Sequence, residues 1–226
     1  MTSIDNGCFC NCIQLENISI PDSVKTIKNA AFYGCSSLET IQIPPSLICI
    51  KNSVFENCTS LTQITIHSSV TSIGNYSFSG CSSLTQITIP SSVKSIGNYA
   101  FAGCSKLKQI SLSSTLESIG NNAFEKCISL LKIQIPFTVT SIGKYAFKEC
   151  SSLKNIIFEN NSSLTKIDDY TFYRCSALDE ISIPSSVTSI GNYSFNECYF
   201  LRKVDILSEK ISYGDFSFSN WTKLNI

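Results

Sequence analysis

Residues 69–90, SVTSIGNYSFSGCSSLTQITIP, return almost unchanged at residues 92–113 as SVKSIGNYAFAGCSKLKQISLS. Self-similarity at a fixed period constrains a fold more than composition does, because every unit must stack on its own copy. Phenylalanine recurs at Phe9, Phe32, Phe55, Phe78, Phe101, Phe124, Phe147, Phe172, Phe195 and Phe218. Cysteine follows three residues later at Cys12, Cys35, Cys58, Cys81, Cys104, Cys127, Cys150, Cys175 and Cys198, with Trp221 in the last slot. Leucine comes three further on, from Leu15 to Leu224. Every step is 23 residues except one of 25, between Phe147 and Phe172. The two extra residues fall near 159–163, in FENNSSL, where lengthening a turn costs little. About ten copies, partial at both ends, predict one solenoid domain over residues 1–226.

Each unit has a physical reading. LTQITI (84–89) places Ile87 and Ile89 two apart, the alternation of a strand with one buried face. Pro90 follows, as do Pro21, Pro44, Pro136 and Pro184 in other copies, where a residue without an N–H ends the ladder. Val70 and Ile73 predict a second, short extended segment. Phe78 and Cys81, three apart, have the spacing of one helical turn. The recurring single glycines Gly74, Gly97, Gly120, Gly143, Gly191 and Gly214 read as turn positions.

The pattern L-x-x-I-x-I-P-x-S-V-x-x-I-G-x-x-A-F-x-x-C resembles the leucine-rich repeat of the BspA-like class, with its 23-residue units. The resemblance covers essentially the whole chain. It implies a right-handed, curved leucine-rich-repeat solenoid with a parallel β-sheet on the concave face and short extended segments and helical turns on the other side. It also implies a surface protein that adheres to host, matrix or plasma proteins or to other cells. The alternative is an intracellular protein–protein interaction scaffold, because MTSIDNGCFCNC has neither the basic nor the apolar region of a secretory signal. The chain also starts and stops inside a repeat, as part of a longer protein would.

Twelve cysteines raise disulfide and metal chemistry. Eight of them, Cys35, Cys58, Cys81, Cys104, Cys127, Cys150, Cys175 and Cys198, form a structural column. Parallel neighbours stand about 4.8 Å apart, whereas a disulfide needs Cβ atoms near 3.8 Å and a χ3 near 90°. They are expected to be reduced, buried thiols acting as small hydrophobes. A 23-residue column supplies one ligand per coil, so no metal or other cofactor is expected. In CFCNC, Cys8 and Cys12 fall in core slots and Cys10 in an exposed one. The one histidine, His67, takes the strand-ending proline slot. Asp168–Asp169 and Asp179–Glu180 read as solvated surface, and no phosphate-cradling glycine motif occurs. An enzyme is therefore not expected.

Charge narrows the partner. The chain is 43% hydrophobic and 15% charged, and its 17 basic residues balance 17 acidic ones, which gives no global pull toward nucleic acid. No apolar run is long enough for membrane insertion. Binding is assigned to the outward strand positions of the concave face. These are Gln63, Thr65, Gln86, Thr88, Lys108, Gln109, Ser111, Leu131, Lys132, Gln134, Lys154, Asn155 and Ile157. Lys108, Lys132 and Lys154 are expected to share one strand edge and meet an acidic protein, with Leu131 and Ile157 at the contact centre. Sequons occur at Asn17, Asn57, Asn75, Asn160, Asn161, Asn192 and Asn220, with Asn160 and Asn161 the most accessible.

Overall fold

A strand of only two to four residues cannot bury both of its faces alone, and this chain makes all its strands that short. The computed structural model describes residues 2–218; the Trp221, Leu224 and Asn220 positions lie outside the described residues. It is a parallel-strand β-solenoid of about nine turns, most of them 23 residues apart. The strand that opens a turn has three or four residues, from Asn17–Ser19 and Thr40–Gln42 through Lys132–Ile135 and Asn155–Phe158 to Lys203–Ile206, except Gln63–Ile64, which has two. A two-residue strand follows on the next side, as at Ser72–Ile73, Ser95–Ile96, Ser118–Ile119 and Ser141–Ile142. Each pairs in parallel with its counterpart one turn away and in register, for example Ser118 with Ser141 and Lys132 with Asn155.

The core fills in columns. Phe32 through Phe195 are fully buried, and rings one turn apart stack with centroids 5.1–5.7 Å apart from Phe9 through Phe172. One hydrophobic cluster runs from Ile4 to Phe218. The alanine slot carries a hydroxyl in four turns: Ser77 Oγ donates to the Gly74 carbonyl (2.9 Å), Thr171 Oγ1 to the Asp168 carbonyl (2.8 Å) and Ser194 Oγ to the Gly191 carbonyl, whereas the buried Ser217 Oγ has no hydrogen-bond partner among the described residues. The swollen turn leaves the frame intact, because Leu164 beyond it is fully buried.

The Phe–Cys segments are not helical; no helix occurs among the described residues. Each makes one i−3 closure, such as Cys58 N–H to the Phe55 carbonyl (3.2 Å), and then turns its N–H groups to the next coil, as Asn57 does to Ser79 (2.7 Å). Left-handed residues stop helical propagation: Tyr76, Tyr99, Tyr145, Tyr170 and Tyr193 have φ of 55–61°, and the residue before the cysteine, such as Asn57 or Gly80, is positive too. The single glycines are not turn positions. Gly97 does not have a left-handed φ; its coil crosses so close to the one before that a Cβ would lie 2.6 Å from Asn75 N. That close approach lets the Asn98 N–H donate to Asn75 Oδ1 (2.8 Å), one rung of an asparagine ladder from Asn52 to Lys144.

Asp169 continues this ladder and is not simply solvated surface. Its Oδ1 accepts from Asn192 N–H (2.9 Å) and its Oδ2 from Lys144 Nζ (2.7 Å). The Lys144 hydrogen bond is the main cause holding that carboxyl below its usual range. Cys8, expected in a core slot, is exposed, because the first turn has a neighbour on one side only.

Candidate functional site

Alternation within the longer strands decides which side chains reach solvent. In Lys132–Ile135 the pattern is exposed, buried, exposed, buried, so Ile133 and Ile135 enter the core while Lys132 and Gln134 face out. All thirteen residues assigned from the sequence are exposed, and parallel pairing lines them up. Gln86 stands beside Gln109 and Thr88 beside Ser111; Lys132 stands beside Asn155 and Gln134 beside Ile157. Gln63 and Thr65 lie one turn before Gln86 and Thr88 in the same frame.

The lysines divide between two columns. Leu131 N–H donates to the Lys108 carbonyl (3.5 Å) and Lys154 N–H to the Leu131 carbonyl (2.9 Å), so Lys108, Leu131 and Lys154 stack on the strand edge. Lys132 belongs to the neighbouring column, beside Asn155. The sharing of one edge by all three is thus corrected: the residue after the repeated leucine sets the edge column, and Lys132 is one position later. The long Leu131–Lys108 bond falls where the strand pairing lapses between Gln109–Ser111 and Lys132–Ile135. A hollow of about 300 Å³ opens there, lined by Ser111, Leu112, Lys132, Gln134 and Glu159.

A larger hollow of about 450 Å³ lies beyond it, between Asn155, Ile157 and Phe158 on one side and Glu180, Ser182, Lys203 and Asp205 on the other. Ile157 and Leu131 are each 48% exposed. Sequence reasoning missed the acidic wall of this hollow, although Glu180 and Asp205 stand in the same columns as Lys132 and Gln134. It also missed Glu159, which lies in the swollen turn outside the repeat frame. Its carboxylate accepts from Gln134 Nε2 (2.7 Å) and Phe137 N–H (3.1 Å).

On the Phe–Cys turn side, between Cys198 and Leu201, Tyr199 and Phe200 stand where most other turns carry serine, threonine or alanine and are 69% and 72% exposed. Next to them Glu197 accepts from Arg174 Nε (2.8 Å), Tyr173 Oη (2.5 Å) and Tyr199 Oη (2.8 Å), and Arg174 leads these donors in holding its carboxyl down to about 2. The eight-cysteine column is buried, and each thiol donates to the carbonyl of the phenylalanine one turn earlier, as Cys104 Sγ does to Phe78 (3.2 Å). Among the described residues no grouping of His, Cys, Asp and Glu has the arrangement of a metal site.

A family model for the BspA type leucine rich repeat region matches residues 2–130 and 117–226. The chain belongs to the BspA-type leucine-rich repeat family. Its BspA-type fold aligns with a leucine-rich repeat protein from Bacteroides ovatus at 35% identity and a TM-score of 0.91, over 99% of this chain and 57% of the other. The chain thus spans little more than half the length of that relative. A leucine-rich repeat protein from T. pallidum aligns at 32% identity and a TM-score of 0.65, over 78% of each chain. A leucine-rich cell surface protein from Faecalibacterium prausnitzii aligns at 27% identity and a TM-score of 0.58, over 99% of this chain and 72% of the other. No curated protein matches the sequence. No helix of the described BspA-type chain is long and apolar enough to cross a membrane.

Proposed function

We propose that this chain is a non-enzymatic protein-binding module whose strand face, between Thr65 and Ile157, carries the partner. The observation that supports it most is the placement of Leu131 and Ile157, two half-exposed aliphatic side chains on an otherwise polar face, among Lys108, Lys132 and Lys154. Stacking of Phe, Cys, Leu and Ile consumes the repeated residues, so only the variable outward positions can encode a partner. Display at a cell surface, with adhesion to host, matrix or cell-surface protein, is supported by the F. prausnitzii relative's description as a cell surface protein.

A second contact surface is favoured by one observation, the exposed Tyr199 and Phe200 on the turn side. Substitutions separate the two. With a protein partner captured from the natural setting, Ile157→Asp raises the off-rate and Lys132→Glu slows association and changes its salt dependence. Lys126→Glu and Phe200→Ser on the turn side leave binding unchanged. The reverse pattern in surface plasmon resonance moves the site to the turn side.

A further inference from the structure

The charges on the strand face specify what the partner presents. Other cations there are neutralised within the chain: Arg202 pairs with Asp179 (2.5 Å) and Lys203 with Asp205 (2.8 Å). Among the described residues no carboxylate lies within ion-pair distance of Lys108, Lys132 or Lys154. Two of the acids near them in the frame are already engaged, and Glu180, beside Asn155, lies beyond ion-pair distance of all three. Asp179 follows Lys154 in the edge column but is turned to Arg202, and Glu159 is held by Gln134 and the Phe137 N–H. Three exposed ammonium groups are therefore left around two aliphatic side chains, on a chain of zero net charge.

Spacing adds a direction. Lys108 and Lys154 flank Leu131 in one column at two interstrand steps, so their backbones are about 10 Å apart along the solenoid axis. A chain in the extended polyproline II conformation advances about 3.1 Å per residue with three residues per turn, so side chains at i and i+3 lie on one side about 9 Å apart. We infer that the strand face takes an acidic protein segment in the polyproline II conformation running along the solenoid axis, with carboxylates at i and i+3 over Lys108 and Lys154 and the aliphatic side chains between them reaching sideways to Leu131 and Ile157. Lys132, one column over, adds attraction without fixing the register. The aliphatic pair separates this partner from a sulfated polysaccharide or nucleic acid, which would leave Leu131 and Ile157 uncovered. This inference rests on the strand face being the binding surface.

The test uses the chain as given and labelled synthetic peptides with Asp-Leu-Ile-Asp in a Gly/Ser background. The comparison peptides carry the same residues with the acids adjacent, Asp-Ser-Ser-Asp, or Lys for Asp. Binding is read by fluorescence anisotropy, and its place by amide shifts in NMR. The expected result is shifts at Lys108, Leu131 and Lys154 with Asp-Leu-Ile-Asp. Affinity falls roughly ten-fold for the adjacent-acid isomer and for Lys154→Glu, and that variant gains affinity for the lysine peptide. Equal binding of the isomer, or of Asp-Ser-Ser-Asp, or stronger binding of a sulfated polysaccharide at the same amides overturns the acidic-segment proposal while the strand face stands as the site. No binding by any peptide also overturns it. Shifts at Phe200 and Tyr199 overturn the strand-face reading itself.

Discussion

Each buried thiol meets a carbonyl that already accepts its neighbour's N–H: the Phe78 carbonyl takes Cys81 N–H (3.1 Å) and Cys104 Sγ–H (3.2 Å). Loss of the thiol proton would leave an anion facing that oxygen in an apolar column. Burial accordingly pushes Cys58, Cys104 and Cys198 up to about 12 from an ordinary 9.0. A raised folded value contributes stability that is complete below the unfolded value and lost as pH rises through the folded one. Urea midpoints should thus be flat up to about pH 8 and fall between roughly pH 9 and 12. Free-thiol titration of native protein at pH 8 should find Cys8 and Cys10 reactive and the column unreactive until urea unfolds it. The column was legible because Cys recurs at one period. The exposure of Cys8 was not, because a repeat frame says which slot a residue occupies and nothing about whether a second coil covers it.

The coil is the element here, and its two glycine types answer to different causes. Gly97→Ala would place a Cβ 2.6 Å from the backbone of the preceding coil, with no flexible atom to yield. It should destabilise by more than about 1 kcal/mol in urea unfolding. Gly103, at φ 72°, meets nothing closer than 3.7 Å, and Asn57 already fills the same slot at φ 60°. Gly103→Asn should cost less than about 1 kcal/mol in the same measurement, because asparagine tolerates that conformation. Stacking gives the second contrast. Phe101 lies between Phe78 (5.2 Å) and Phe124 (5.3 Å) and is fully buried, so Phe101→Ala should cost roughly 3–5 kcal/mol. Phe9 is half-buried and stacks on Phe32 (5.1 Å), so Phe9→Ala should cost clearly less. The strand alternation was plain in the sequence, whereas Phe–Cys spacing was misread as a helical turn. Three-residue spacing suits any turn that closes i to i−3, and the left-handed tyrosines that redirect the N–H groups carry no signal in a one-letter pattern.

For the whole molecule, a core that runs unbroken from Ile4 to Phe218 makes every coil depend on its neighbours. Far- and near-ultraviolet circular dichroism should therefore follow one coincident urea transition, as one cooperative core from Ile4 to Phe218 predicts. Two separated transitions would place a boundary in the chain, with the insertion at 159–163 its natural position. Charge is organised at the same scale. From residue 104 to 154 seven lysines face three acids, and from 156 onward nine acids face six bases. In the second group Lys166, Arg174, Arg202 and Lys203 each pair with an acid of the same group, whereas Lys108, Lys132 and Lys154 in the middle of the strand face stand in no ion pair among the described residues.

The amino-acid sequence by itself determined the period, the buried columns and the thirteen outward strand positions, because a 23-residue repeat and a two-residue alternation are local rules that stacking can only obey. Tertiary structure decided which columns those positions join: Lys108 with Leu131 and Lys154, and Lys132 with Asn155. It also decided that Asp179 and Glu159 turn away from the lysines. Whether a charge is free depends on which of two neighbouring coils its counterion reaches toward, and that is a matter of side-chain geometry across coils, to which no single repeat holds the answer.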